Sequence, residues 1–245
     1  MVASDRDWRA WGERDPYYAV LTDQRFHRET FAANREQFFA TGEDFVAHWL
    51  GQLEEHFGPL RRTRALDFGC GVGRLTIPLA DRFDATVAVD IAPAMIDEAR
   101  RNSAGRDIVY LLSDDTLSRV EGSFDFVNSC IVLQHIPVRR GMTLLTRLLN
   151  LVRPGGGCLI QLSTKRNHGW WRELSYRVRH TMPGGQAAAN LIAGRAADTP
   201  LMQMNEYSLD AVLPVFHQHG FPELLVRYED HGGIDTALLL ARRRP

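Results

Sequence analysis

Hydrophobic positions along this chain change their period once, near residue 64. Before it the spacing is helical. GEDFVAHWLGQLEEHFG places Phe45, Val46, Trp49, Leu50, Leu53 and Phe57 on one helical stripe, and Gly58-Pro59 ends it. From Arg64 onward, short apolar runs alternate with helical stretches. RALDFG precedes GRLTIPLADRF, ATVAVD precedes APAMIDEARRN, DIVYLL follows, SFDFVNS precedes PVRRGMTLLTRLLNLV, and GGCLIQLS closes the series. Strands alternating with helices predict βαβ units, right-handed crossovers and a parallel sheet covered on both faces. After residue 207 come a helix, SLDAVLPVFHQHG, and two apolar runs, PELLVRY and DTALLLAR, separated only by EDHGGI. That short separation predicts an antiparallel hairpin at the sheet edge. The expected organisation is a helical N-terminal cap over 1–60 and an α/β domain over 61–245. Within the latter, 164–207 interrupts the strand–helix rhythm as an insertion.

Composition narrows the classes without naming a function. The chain has 245 residues, 44% hydrophobic and 24% charged, as a soluble globular protein does. Its formal net charge of -1 argues against a general binder of nucleic acid or of membrane surfaces. No apolar run is long enough to span a bilayer. The opening residues, MVASDRDWRAWGERD, lack the apolar stretch of a secretory signal. Cys70, Cys130 and Cys158 are far apart and odd in number, so neither a zinc site nor a disulfide framework is expected, and a cytoplasmic location is. Lys165 is the only lysine; the other basic residues are arginine.

The chemistry is concentrated in ALDFGCGVGRL. Three glycines at alternating positions, Gly69, Gly71 and Gly73, follow a predicted strand and precede a helix expected to begin near Val72. A Gly-rich turn there lies at the carboxyl end of a parallel sheet, where open α/β sheets bind ligands. Glycine permits positive φ and close approach of a ligand to the backbone, and the helix start offers free N–H groups. The same glycines would also suit a tight turn packed on its own helix. Two features favour a ligand containing a nucleoside. Arg74 stands where a third dinucleotide glycine would be, which disfavours NAD. The next strand, TVAVD, ends in Asp90, about twenty residues on, suited to accept from ribose hydroxyls.

These motifs resemble those of the class I S-adenosylmethionine-dependent methyltransferases. ALDFGCGVGRL is similar to the family's first motif, VAVDIAPAMIDEAR to the second, VYLLSDD to the third and FDFVNSCIVLQHIP to the fourth; LLNLVRPGGGCLIQLS resembles the helix and strand that follow. The likeness covers about Arg64 to Ser163 and the final hairpin. It implies a Rossmann-like, seven-stranded, mostly parallel sheet with helices on both faces and an antiparallel C-terminal hairpin. It implies S-adenosylmethionine as cofactor and S-adenosylhomocysteine as product. Carried over residue by residue, it puts Asp67, Gly69, Cys70, Gly71 and Gly73 at the methionine part of the cofactor and Asp90 at its ribose. Ile91 and Met95 fall at the adenine, Asp114 or Asp115 at the adenine amino group with Asp114 preferred, and Asn128 and Ser129 below the sulfonium. Asp67 could equally cap its turn, and Met95 could equally fill the core.

Methyl transfer needs a base only where the nucleophile must lose a proton. His135, in LQHIP just past the fourth strand, is the expected base or orienting group, with an ordinary pKa of about 6.5. It could also cap the next helix. For the acceptor, the insertion offers Trp170 and Trp171 among arginines, and LMQMNEY offers Met202, Met204 and Asn205. RDPYYAVLTDQRF offers Tyr17 and Tyr18, which could close over the cofactor or anchor the segment. The expected acceptor is a small molecule, in specialised metabolism or other biosynthesis. The expected partners are neither nucleic acid nor membrane, and a homodimer stays open. The alternatives are a bound adenosyl compound used for a non-methylating reaction, and methylation of RNA or protein, which no basic excess supports.

Overall fold

The computed structural model describes residues 3–167, 185–192, 194, 196–230 and 232–245. Trp170 and Trp171 lie outside the described residues. Seven strands form one sheet: β1 (Arg64–Phe68), β2 (Ala85–Asp90), β3 (Ile108–Leu112), β4 (Phe124–Ser129), β5 (Val152–Arg166), β6 (Leu224–Asp230) and β7 (Ile234–Arg242). Their order is β3-β2-β1-β4-β5-β7-β6. The first five are parallel. β7 inserts antiparallel beside β5, and β6 pairs antiparallel with β7 as the edge strand. Every residue of β4 is buried, as a central strand covered on both faces requires. β6 carries Arg227, Glu229 and Asp230 at the open edge, which discourages further pairing.

Eight described helices accompany the sheet: α1 (Ala3–Arg14), α2 (Pro16–Val20), α3 (Phe31–Phe57), α4 (Thr76–Ala80), α5 (Pro93–Asn102), α6 (Val138–Leu151), α7 (Gly185–Ile192) and α8 (Leu209–Gln218). The predicted stripe on α3 buries Val46, Trp49, Leu50 and Leu53 against Phe126, Leu159, Leu238 and Leu240 on one sheet face. α6 buries Leu144, Leu145, Leu148 and Leu149 on the other, against Val127, Ile160 and Leu239. Each such side chain contributes about 1.5–3 kcal/mol by leaving water. None of the helices among the described residues is long and apolar enough to cross a membrane.

One expectation is corrected here. The helix after the glycine loop begins at Thr76, not near Val72, and is five residues long. Gly69, Gly71 and Gly73 have φ of 76, 52 and 91°, and no right-handed helix propagates through that conformation. The loop therefore stays open beside the point where the strand order reverses, between β1 and β4. That switch point is where a crevice opens in doubly wound sheets.

Candidate active site

A cavity of about 810 Å³, its mouth included, occupies that crevice. Its floor joins the two sequence motifs. Gly69 and Cys70 donate their N–H groups to the Val89 carbonyl at 2.8 and 3.0 Å. The Gly71 N–H donates to Asp90 Oδ2 at 2.9 Å, and the Ala92 N–H to Asp90 Oδ1 at 2.9 Å. Asp90 thus ends β2 with both oxygens anchored to backbone. Burial pushes its carboxyl up to about 6, against the lowering effect of the backbone N–H groups. Ile91 and Met95 continue the wall from Asp90, and Ser113 and Asp114 face them from the end of β3. Met95 is also 2% exposed, so it fills the core and lines the cavity at once.

The two adjacent aspartates differ. Asp114 Oδ1 accepts from the Thr116 N–H and hydroxyl, both at 2.8 Å, and Oδ2 accepts from the Ser118 hydroxyl at 2.5 Å. Those donors, Ser118 foremost, hold its carboxyl far below the usual range. Asp115 lies off the cavity wall and accepts from Arg140.

Several other expected residues also lie off the wall. Asp67 Oδ2 accepts from the Thr76 hydroxyl at 2.6 Å and Oδ1 from Asn128 Nδ2 at 2.8 Å. That buried trio ties β1 to β4 and α4, and burial raises the Asp67 carboxyl. Cys70 is buried behind the loop, and a Cβ on Gly73 would meet Ala99 of α5 at 3.5 Å. Ser129 is fully buried, and its hydroxyl has no partner among the described residues. The turn after β4 instead brings Cys130, Ile131 and Val132 to the wall. Burial pushes the Cys130 thiol up to about 12, so it is no thiolate.

The roof comes from the N-terminal segment, through residues other than those expected. Tyr17 stacks on Phe31 at 3.4 Å and donates to Glu98 at 2.5 Å, and Tyr18 stacks on His27 at 3.9 Å. Neither lines the cavity. The helical turn begun by Pro16 packs both rings away from the cavity, Tyr17 buried among Phe31 and Phe38, and brings Ala19 and Val20 to the wall. A Cβ on Gly71 would lie 2.6 Å from Val20 Cγ2. From α1 come Ser4, Asp5 and Trp8. Arg140 Nη1 and Nη2 donate to the two Asp5 oxygens at 2.5 and 3.2 Å, and Arg9 Nε donates to the Ile91 carbonyl at 3.2 Å. Reading for local periodicity missed these groups, because α1 reaches the site only through contacts distant in sequence.

His135 lies in a 3₁₀ turn, Leu133–His135, and does line the cavity. Its ring is tilted against Trp8 with centroids 4.6 Å apart. Its Nδ1 donates to the Gln203 carbonyl at 2.6 Å, which leaves Nε2 as the acceptor. It does not cap α6, whose N-cap is Pro137. Burial lowers its pKa to about 4. Met202, Met204 and Asn205 sit behind it rather than in the wall. Asn205 donates through N and Nδ2 to the Gln134 carbonyl at 2.7 and 3.1 Å, Met204 Sδ lies 3.9 Å from Gln134 Nε2, and Met202 packs among the N-terminal aromatics. Among the described residues no cluster of His, Cys, Asp and Glu has the makings of a metal site.

Residues 65–156 match the family model described as "Methyltransferase domain". A trans-aconitate 2-methyltransferase from Methylobacterium radiotolerans is 37% identical over 107 residues, 42% of this chain and 40% of that protein. A ubiquinone biosynthesis O-methyltransferase from Methylocella silvestris is 39% identical over 101 residues, 40% of this chain and 39% of that protein. The chain thus spans about two fifths of these curated relatives. In three dimensions it superposes on a magnesium protoporphyrin IX methyltransferase from Synechocystis with bound SAM. That match has a TM-score of 0.64 and 17% identity, over 99% of this chain and 98% of the other. An N-methyltransferase from Bradyrhizobium japonicum in complex with S-adenosyl-L-homocysteine matches with a TM-score of 0.61 and 13% identity, each chain covered in full.

Proposed function

We propose that this chain, a methyltransferase domain over residues 65–156 with the class I S-adenosylmethionine-dependent fold, transfers a methyl group from S-adenosylmethionine to a small-molecule acceptor. One observation carries the cofactor reading. Asp90 is a half-buried carboxylate at the cavity wall whose partners, among the described residues, are backbone N–H groups and not a cation. Such a group gains most from two hydroxyl donors, and a ribose diol supplies them. The rest of the wall is compatible. Ile91 and Met95 offer apolar contact for an adenine, and the ionised Asp114 accepts from its amino group. Gly69 and Gly71 of the glycine loop line the cavity beside the turn of Cys130, Ile131 and Val132. Asp67 and Asn128 act from behind, tying β1 to β4 and, through Thr76, to α4.

When bound, S-adenosylmethionine supplies an electrophilic methyl group and its own leaving group, so the chain's task is positioning and exclusion of water. The roof of α1 and α2 supplies the exclusion. His135, neutral at pH 7, holds Nδ1 on the Gln203 carbonyl, which leaves Nε2 an acceptor, 3.4 Å from the Gln134 side-chain amide nitrogen. With a pKa of about 4 it orients an acceptor hydroxyl or amine more than it removes a proton. The acceptor is a small molecule because the cavity lies beneath the roof and is walled largely by apolar side chains. Specialised metabolism is the setting in which we place it.

The test is isotopic. Protein incubated with methyl-labelled S-adenosylmethionine and a whole-cell extract, fractionated by size afterwards, should pass the label to a small molecule. Label found only in RNA or protein, or none transferred while the adenosyl group is consumed, contradicts this reading.

A further inference from the structure

The turn after β4 holds a conformation that its residue resists. Ile131 has a φ of 59°, and a branched side chain in the left-handed region is an outlier. Among the described residues one other non-glycine residue, Leu117, has a positive φ, and it is not part of the cavity wall. Ile131 is, between Cys130 and Val132.

Two contacts clamp the turn. The Ile131 N–H donates to Gln161 Oε1 at 2.9 Å, and the Cys130 thiol donates to the same oxygen at 3.0 Å. On the other side Val132 presses on the glycine loop, where a Cβ on Gly69 would lie 2.3 Å from Val132 Cγ2. The strand register explains why Gln161 is the clamp. The last β4–β5 pair is Ser129 with Ile160, so Gln161 is the next residue along β5 and stands beside the departing chain. Gln161 is 1% exposed, and its Nε2 has no partner among the described residues, so the bonds to its oxygen are what orient the amide. Glycine at 131 would adopt this φ without strain. Isoleucine accepts the strain and brings a side chain to the wall, a pattern found at sites where geometry matters to function.

We infer that Gln161 is a positioning residue: it holds Ile131 in the left-handed turn, so that the Ile131 side chain shapes the cavity beside the glycine loop and sets how tightly an adenosyl ligand is gripped. This rests on the cofactor reading above.

A double-variant cycle tests it, read by calorimetric affinity for S-adenosylhomocysteine and by thermal unfolding of the ligand-free protein. Gln161→Leu removes the acceptor, Gln161→Glu keeps one, and Ile131→Gly removes strain and side chain together. Gln161→Leu and Ile131→Gly should each weaken binding about fivefold or more, while Gln161→Glu stays within about twofold of wild type. Gln161→Leu added to Ile131→Gly should cost less than about twofold further, since glycine needs no clamp. The fall in unfolding temperature caused by Gln161→Leu should likewise be less than about half as large in the Ile131→Gly background. Losses that multiply, or wild-type affinity in either single variant, overturn the inference. If Gln161→Leu does not fold, Ile131→Gly alone decides, because wild-type affinity there removes the side chain's role. If wild-type protein binds no S-adenosylhomocysteine, the cofactor reading fails by itself. The thermal cycle then judges the clamp, and equal falls in both backgrounds reject it.

Discussion

The Nδ1 of His135 lies 2.6 Å from the Gln203 carbonyl oxygen, and this bond fixes the tautomer, with the proton on Nδ1 and Nε2 as the acceptor. The imidazole is held neutral by burial, with its pKa lowered from 6.5 to about 4. His135→Asn keeps an N–H for the Gln203 carbonyl but removes the Nε2 acceptor. With a hydroxyl acceptor, turnover should fall by about 10²-fold or more while affinity for S-adenosylhomocysteine changes little. Steady-state kinetics on the identified acceptor, beside calorimetry of the product, checks this. Wild-type turnover would leave His135 a purely structural group.

The same histidine and Asp90 oppose each other in the pH dependence of stability. Asp90 titrates near 6 in the fold against an ordinary 3.8, so the folded state binds its proton more tightly and stability falls as pH rises through that window. His135 titrates near 4 in the fold against 6.5, so the unfolded chain binds its proton more tightly and stability rises with pH there. Each amounts to roughly 3 kcal/mol at full extent. In the wild-type protein the two slopes offset. Between about pH 4 and 6.5, Asp90→Asn should rise in stability with pH more steeply than wild type, and His135→Asn less steeply. Urea unfolding at intervals across that range measures both, and parallel profiles for all three proteins would disprove the shifts.

Much of this fold was legible because strands and helices announce themselves in local spacing. The seven strands, the hairpin of PELLVRY and DTALLLAR, and the glycine loop next to Asp90 all lie in short stretches whose pattern needs no distant partner. Of Asp114 and Asp115, Asp114 lies on the cavity wall and Asp115 does not. The roof was not legible. Of the two readings open for Tyr17 and Tyr18, closing over the site or anchoring the segment, the rings pack as anchors on Phe31 and His27, while Trp8, Asp5 and Val20 line the cavity, because the path of α1 is set by Arg140 and Ile91 far along the chain. The early end of the glycine loop's helical pattern misled as well, since GRLTIPLADRF is apolar enough for a longer helix while three left-handed glycines forbid one.

The roof has its own test. Arg140 and Asp5 are 18% and 14% exposed, whereas Asp115, the second partner of Arg140, is 57% exposed. Arg140→Gln should lower stability by about 1.5–3 kcal/mol and open α1 to trypsin at Arg6, Arg9 and Arg14. Asp115→Asn should change stability by less than about 1 kcal/mol and leave the digestion pattern unaltered. Limited proteolysis with mass analysis of the fragments distinguishes them, and equal effects would deny the latch.

Packing behind the site predicts a rescue. Tyr207 is 1% exposed and its hydroxyl lies 2.8 Å from the Leu133 carbonyl, while a Cβ on Gly141 would fall 1.8 Å from that hydroxyl oxygen. Gly141→Ala raises helix propensity on α6, yet it should destabilise by about 1–3 kcal/mol through overpacking. In a Tyr207→Phe background the same change should cost distinctly less. Thermal melts of the four proteins read the coupling, and an unchanged cost would place the collision elsewhere.

The proposed function stands or falls with an adenosyl ligand held in the cavity by Asp90. Calorimetric titration of wild type and Asp90→Asn with S-adenosylhomocysteine, and of wild type with NAD, tests it most directly. The account predicts saturable binding of S-adenosylhomocysteine, at least about tenfold weaker in Asp90→Asn, and none for NAD. Binding of NAD without S-adenosylhomocysteine, or equal affinity in the folded Asp90→Asn protein, would contradict it.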